Sequence, residues 1–129
     1  MTELLSKMSQ TRRAFAVIFA CGFAIGSLNH GHDILQGGLL PYRTVPLPIN
    51  AFWTALCALD LALAVLVWIR ARIAIAAGIT VLLADVGVNS WLAYFSGLHV
   101  DSFEPLQVRT MFLGFVLGGG LFCLRREGA

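Results

Sequence analysis

The chain has 129 residues, of which 58% are hydrophobic and 12% charged, with a mean hydropathy of +0.81. A soluble domain carries about twice that share of charge, which excludes a free-standing soluble enzyme. The net charge of +2 comes from basic residues set at the ends of apolar blocks; they read as topology markers, with no nucleic-acid partner.

Those apolar blocks number four, at about 14–35, 50–69, 73–95 and 105–124. Each is roughly 20 residues long, enough to cross a bilayer, and in lipid such runs satisfy their backbone as helices. The expected fold is all-α, a single four-helix transmembrane domain over residues 1–129. Lys7, Arg12 and Arg13 precede the first block, Arg70 and Arg72 fill the link between the second and third, and Arg125 and Arg126 follow the fourth. Basic residues mark the cytoplasmic face, so both termini are expected in the cytoplasm and the protein in a cell membrane of the bacterial inner-membrane kind.

At the entry to the first block, Thr11-Arg12-Arg13-Ala14-Phe15 has the look of a twin-arginine export signal. Ile18-Phe19-Ala20-Cys21 likewise has the look of a lipobox. Three more spans follow, and Phe19 stands where a lipobox has a small residue, so the segment reads as an uncleaved first span. Gly22 and Gly26 lie one turn apart, which lets another helix approach closely. Toward its end, Gly26, Asn29, His30, Asp33 and Gly37 share one face by i, i+3, i+4 spacing.

Residues 36–49 contain Gly37, Gly38, Pro41, Pro46 and Pro48 around Tyr42 and Arg43. Prolines fix φ and resist helix, so this loop reads as a stiff extended cap. In the second block Asn50, Trp53, Thr54, Cys57 and Asp60 form a polar stripe, and in the third Asp85, Asn89, Leu92 and Ser96 do the same. The loop from Ser96 to Glu104 carries His99, Asp101 and Glu104, and Pro105 suits the first turn of the last helix. That helix carries Arg109, a second small-residue pair in Gly114 and Gly118, and a soft point at Gly118-Gly119-Gly120. The first and fourth helices are expected to pack together, or a homodimer to form through Gly22/Gly26 or Gly114/Gly118. Trp53, Trp91, Tyr94 and Phe103 read as anchors at the outer boundary and Trp68 as one at the inner. Cys21, Cys57 and Cys123 are scattered, with no redox spacing among them, and read as packing residues.

Ionisable residues inside apolar spans cost roughly 2.5–3.5 kcal/mol each on insertion scales. Counting from the arginines at ~1.5 Å per residue puts Asp60 at ~15 Å from the inner boundary and Asp85 at ~20 Å. Asn89, His30 and Arg109 come to ~24–25 Å. The expected site is therefore a pocket in the outer half, floored by Asp60 and Asp85, with His30, Asn89 and Arg109 above it and Asp33 at its edge. Two acids facing one arginine leave a carboxylate over, unless His30 is protonated or Asp33 takes the arginine. Alternatively, the same groups form an ion-pair network that only fixes helix register. His30 and His32 point to different sides of their helix, so no metal or haem site is expected, and no phosphate or nucleophile motif is present.

Asn29-His30-Gly31-His32-Asp33-Ile34-Leu35, followed by Gly37-Gly38, resembles the DoxX-like membrane proteins, whose first helix often ends in His-Gly-x-x-Lys-Leu before glycines. His30, Gly31 and Leu35 match, and Ile34 stands where the family prefers lysine. The resemblance covers about ten residues and the four-span layout. It implies an inner-membrane protein, in some relatives linked to quinone-coupled oxidation or thiol stress, and carries no catalytic residue over. In layout alone the chain is also similar to four-helix sterol-isomerase-like proteins. Three functions fit: a pocket for a lipophilic molecule such as a quinone or lipid, with Asp60 and Asp85 as proton-active groups; a small proton-coupled transporter; or an accessory subunit with a structural polar core.

Overall fold

The computed structural model describes residues 2–97 and 103–125, with side chains left out at 4–9 and 103–105. Four α-helices follow one another, α1 Thr2–Gly37, α2 Leu47–Ile69, α3 Ala71–Tyr94 and α4 Phe103–Arg125, and there is no strand among the described residues. Each helix is long and apolar enough to cross a membrane, the mark of a multi-pass membrane protein. Large apolar residues also cover the outside, among them Ile18, Leu61, Val65, Leu83 and Met111. That outward face is what lipid favours and water does not.

α1 extends well beyond the expected span at its start, beginning at Thr2, whereas the stretch apolar enough to cross a membrane begins at Gln10. Residues 2–13 contain no glycine or proline and are mostly good helix formers, so nothing stops the helix where the apolar run stops. Between α2 and α3 a single residue turns the chain. Arg70, at φ −141° and ψ 72°, donates its N–H to the Leu66 carbonyl and accepts from the Ala74 N–H.

The helices close a ring in chain order, with α1 against α2, α2 against α3 and α3 against α4; of the ring neighbours, α1 and α4 meet least. In the half nearest the termini the core is apolar. Phe15, Phe19 and Phe23 form a ridge along α1 and pack with Leu63, Val67, Ile75 and Val116. Glycines admit these rings. A Cβ on Gly78 would sit 2.8 Å from the Phe19 ring, and one on Gly119 would sit 2.7 Å from Phe15. A second, smaller core of Val45, Trp53, Leu56 and Leu92 lies at the loop end. Trp53 belongs to this core and is 7% exposed, so it is no boundary anchor; its ring meets Tyr42 edge-on at 5.1 Å. Trp91, Tyr94 and Trp68 do face outward. The last helix runs unbroken through Gly118-Gly119-Gly120. Within the chain, Gly22 packs on the Phe112 ring and Gly26 on the Asp60 carboxylate, whereas Gly114 and Gly118 meet nothing.

Candidate functional site

Between the two cores lies a cavity of about 430 Å³, lined from all four helices. Its size falls within the ~300–1,000 Å³ of small-molecule sites. Gly22, Phe23, Leu82 and Phe112 form the end nearer the termini, and Asn29, His30, Asp60, Asp85 and Arg109 supply the polar lining. Ile25 on α1 and Val108 on α4 also line it, yet they are 58% and 66% exposed. The mouth therefore opens sideways between α1 and α4, the ring neighbours that meet least, toward the surface that lipid covers.

The two aspartates sit in different company. Asp85 on α3 accepts from Arg109 Nε at 3.1 Å and from Asn89 Nδ2 at 2.9 Å. Arg109 in turn donates from its NH1 group to Asn89 Oδ1 at 2.7 Å. Asp85, Asn89 and Arg109 thus form a closed triangle tying α3 to α4. The buried indole N–H of Trp53 has no hydrogen-bond partner among the described residues and faces the Asp85 carboxylate. Asp60 on α2 is 7% exposed and lies within electrostatic reach of Asp85 and Arg109. It has no hydrogen bond or ion pair among the described residues, and its oxygens open into the cavity. Of the two expected partners for the arginine, Asp85 has taken it.

His30, also 7% exposed, lines the cavity from α1. Its Nδ1 lies 2.7 Å from the Tyr42 hydroxyl, and that hydroxyl donates to Asp33 Oδ2 at 2.7 Å. Burial, then the hydrogen bond to Asp33, holds the Tyr42 phenol well above its usual range, so its proton stays in place. Asp33 is thus engaged by the loop and does not line the cavity. Asn89 is also off the cavity wall, 2% exposed behind Arg109.

The proline-containing loop is turned rather than extended, with Gly38 at φ 78° and Leu40 at φ 59°, and it packs on α1 and α2 while none of its residues lines the cavity. Asn50 accepts from the Tyr42 backbone N–H at 3.1 Å and donates to the Leu40 carbonyl at 3.0 Å. Leu40 has φ 59°, a left-handed conformation costly for a branched side chain, and the Asn50 clamp holds it there. At the other side, Ser27 of α1 donates to the Cys57 carbonyl of α2 at 2.7 Å. Helical spacing singles out neither Tyr42 nor Ser27 as a site residue. The one signal available is a lone tyrosine, beside Arg43, in a proline-rich loop.

No group of three histidine, cysteine, aspartate or glutamate side chains is placed to hold a metal ion among the described residues. His99 and Asp101 lie outside the described residues, as does the side chain of Glu104. Fold and site together define a four-helix membrane-type bundle with a laterally open polar cavity. Comparison with protein-family models, with curated proteins and with solved structures finds no match, so its chemistry is argued from its own geometry.

Proposed function

We propose that the protein binds a small lipophilic molecule of the quinone or lipid kind, which enters the cavity from the bilayer between α1 and α4. The observation that carries this reading is Asp60, a carboxylate buried among apolar walls with no hydrogen-bond partner of its own and open to the cavity. Leaving such a group unmatched is expensive in a low-dielectric interior, and a ligand group that pairs with it recovers that energy. Arg109 keeps N–H groups beyond those used by Asp85 and Asn89, and these can orient the polar end of the ligand.

The transporter reading has less support, because the phenylalanine core closes the half of the bundle toward the termini. A purely structural role fits the satisfied triangle of Asp85, Asn89 and Arg109, but not Asp60. Arg12, Arg13, Arg70, Arg72 and Arg125 at the end that holds the termini support, by the positive-inside rule, an orientation with both termini in the cytoplasm and the cavity in the outer leaflet. Membership in the DoxX-like group, in a bacterial inner membrane, is part of the same proposal; His30, which carries that resemblance, is also a cavity residue.

The test is thermal stability of the purified protein in detergent, with and without a panel of quinones and extracted lipids. A ligand should raise Tm in the wild type. The shift should vanish in Asp60→Asn and shrink in Val108→Trp, which plugs the mouth from an exposed position. No shift with any member of the panel would overturn the reading.

A further inference from the structure

We propose that the cavity selects an aromatic lipophile in its hydroxyl form, a phenol or quinol, whose O–H donates to Nε2 of His30. The inference rests on the binding function above and deepens it by assigning the polarity of one wall.

The argument follows single protons. The Tyr42 hydroxyl has one hydrogen, and it is spent on Asp33, a half-exposed acceptor at the end of α1. At 2.7 Å, the contact between His30 Nδ1 and the same oxygen needs a hydrogen of its own. It comes from the imidazole, so Nδ1–H is the donor and Tyr42 the acceptor. A neutral imidazole that donates from Nδ1 carries its lone pair on Nε2. No hydrogen bond reaches Nε2 among the described residues, yet the atom is not sealed off, and His30 lines the cavity. The loop thus sets His30 as a hydrogen-bond acceptor at the polar wall.

The far end of the cavity is aromatic. Phe23 and Phe112 line it and meet edge-to-face at 5.4 Å, a surface on which a third ring packs well. A ring bearing a hydroxyl matches both ends. An ether or a quinone, lacking the donor, leaves the lone pair of Nε2 unmatched.

Two probes differing in one hydrogen-bond donor test this. The binding of 4-heptylphenol and of its methyl ether is measured by titration calorimetry of the full chain in detergent. The phenol should bind roughly tenfold more tightly, the worth of one neutral hydrogen bond. That preference should disappear in His30→Phe. It should also fall in Tyr42→Phe, which keeps the ring against Trp53 but frees the imidazole proton to move. Nitrogen NMR of the imidazole gives an independent check, with Nδ1 protonated and Nε2 bare.

Equal affinity for phenol and ether, or a proton found on Nε2, would overturn the hydroxyl preference and leave the lipophile site standing. Failure of both probes, with a quinone or lipid still stabilising the protein through Asp60, would do the same. If nothing in either panel binds, both readings fall.

Discussion

In the half of the bundle nearest the termini, α1 and α4 meet ring on glycine: Phe15 packs over Gly119 and stacks on Phe115 at 5.3 Å. In the half nearest the loops, the same two helices part beyond Phe112, and Ile25, Asn29 and Val108 stand exposed at the mouth of the cavity. One half is closed by shape alone. The other is held by a few directional contacts, the Asp85–Arg109–Asn89 triangle and the loop clamped by Asn50. Apolar packing spreads its stabilisation over many small contacts, so it leaves no room for a ligand. Directional bonds concentrate it, and space can remain between them.

The sharpest way to break this arrangement is Arg109→Met. It strands a buried Asp85 carboxylate, and losing one partner of a buried ion pair costs about 3 kcal/mol or more. Unfolding in mixed detergent should show that loss, and Arg109→Met combined with Asp85→Leu should recover most of it, since the uncompensated charge is then gone. Asp60→Asn should not lower stability, because Asp60 makes no bond to lose and the substitution removes an unmatched buried charge. If Asp60→Asn proves as damaging as Arg109→Met, the division of labour between the two acids is wrong.

The tight half is tested by glycine. In Gly120→Ala the new Cβ would lie 2.6 Å from Ile75 Cγ2, an overlap that costs about 1–3 kcal/mol. Gly114→Ala meets open space, and the helix gains up to ~1 kcal/mol from alanine's better propensity. Opposite signs for these two changes, read from the same unfolding assay, are the expected result. On the loop side, Asn50→Ala removes both side-chain bonds that hold Leu40 and Tyr42 and should cost about 1–2 kcal/mol. It should also weaken the phenol preference at His30.

What was legible in the chain, and what was not, divides along similar lines. Four spans could be read because length and apolarity are local properties. Asp60, Asp85 and Arg109 stand out because charge inside a span is rare, and residue counting groups them in one band along the helices. Counting does not give rotation about the helix axis closely enough to say which acid meets the arginine. The same ambiguity explains Trp53, whose position near a boundary fits an anchor although its ring turns inward. It also explains the fourth helix, where Gly114 and Gly118 have the familiar spacing but Gly119 and Gly120 make the contacts. Tyr42 was hidden for another reason. A loop has no period, and its contact with His30 depends on a backbone turn through Leu40 that no pattern announces.

The smallest effect expected belongs to that tyrosine, and its sign follows from its surroundings. Burial and the hydrogen bond to Asp33 raise the folded-state pKa of Tyr42 above the value near 10 that an unfolded chain shows. Below about pH 10 both states hold the proton, and stability does not depend on this group. Above it the unfolded chain releases the proton first, so rising pH favours unfolding and the contribution of Tyr42 is progressively lost. Tyr42→Phe has no such proton, and Tyr94 is common to both proteins, so the stability gap between wild type and variant should narrow from pH 9 to pH 11. Tyr42 is only half-buried, and solvent screening keeps the slope well under the single-group limit of about 1.4 kcal/mol per pH unit. A gap that stays constant over that range would mean that the phenol is not held by Asp33. The proton order that makes His30 an acceptor would then fail with it, while the apolar half of the bundle would be untouched.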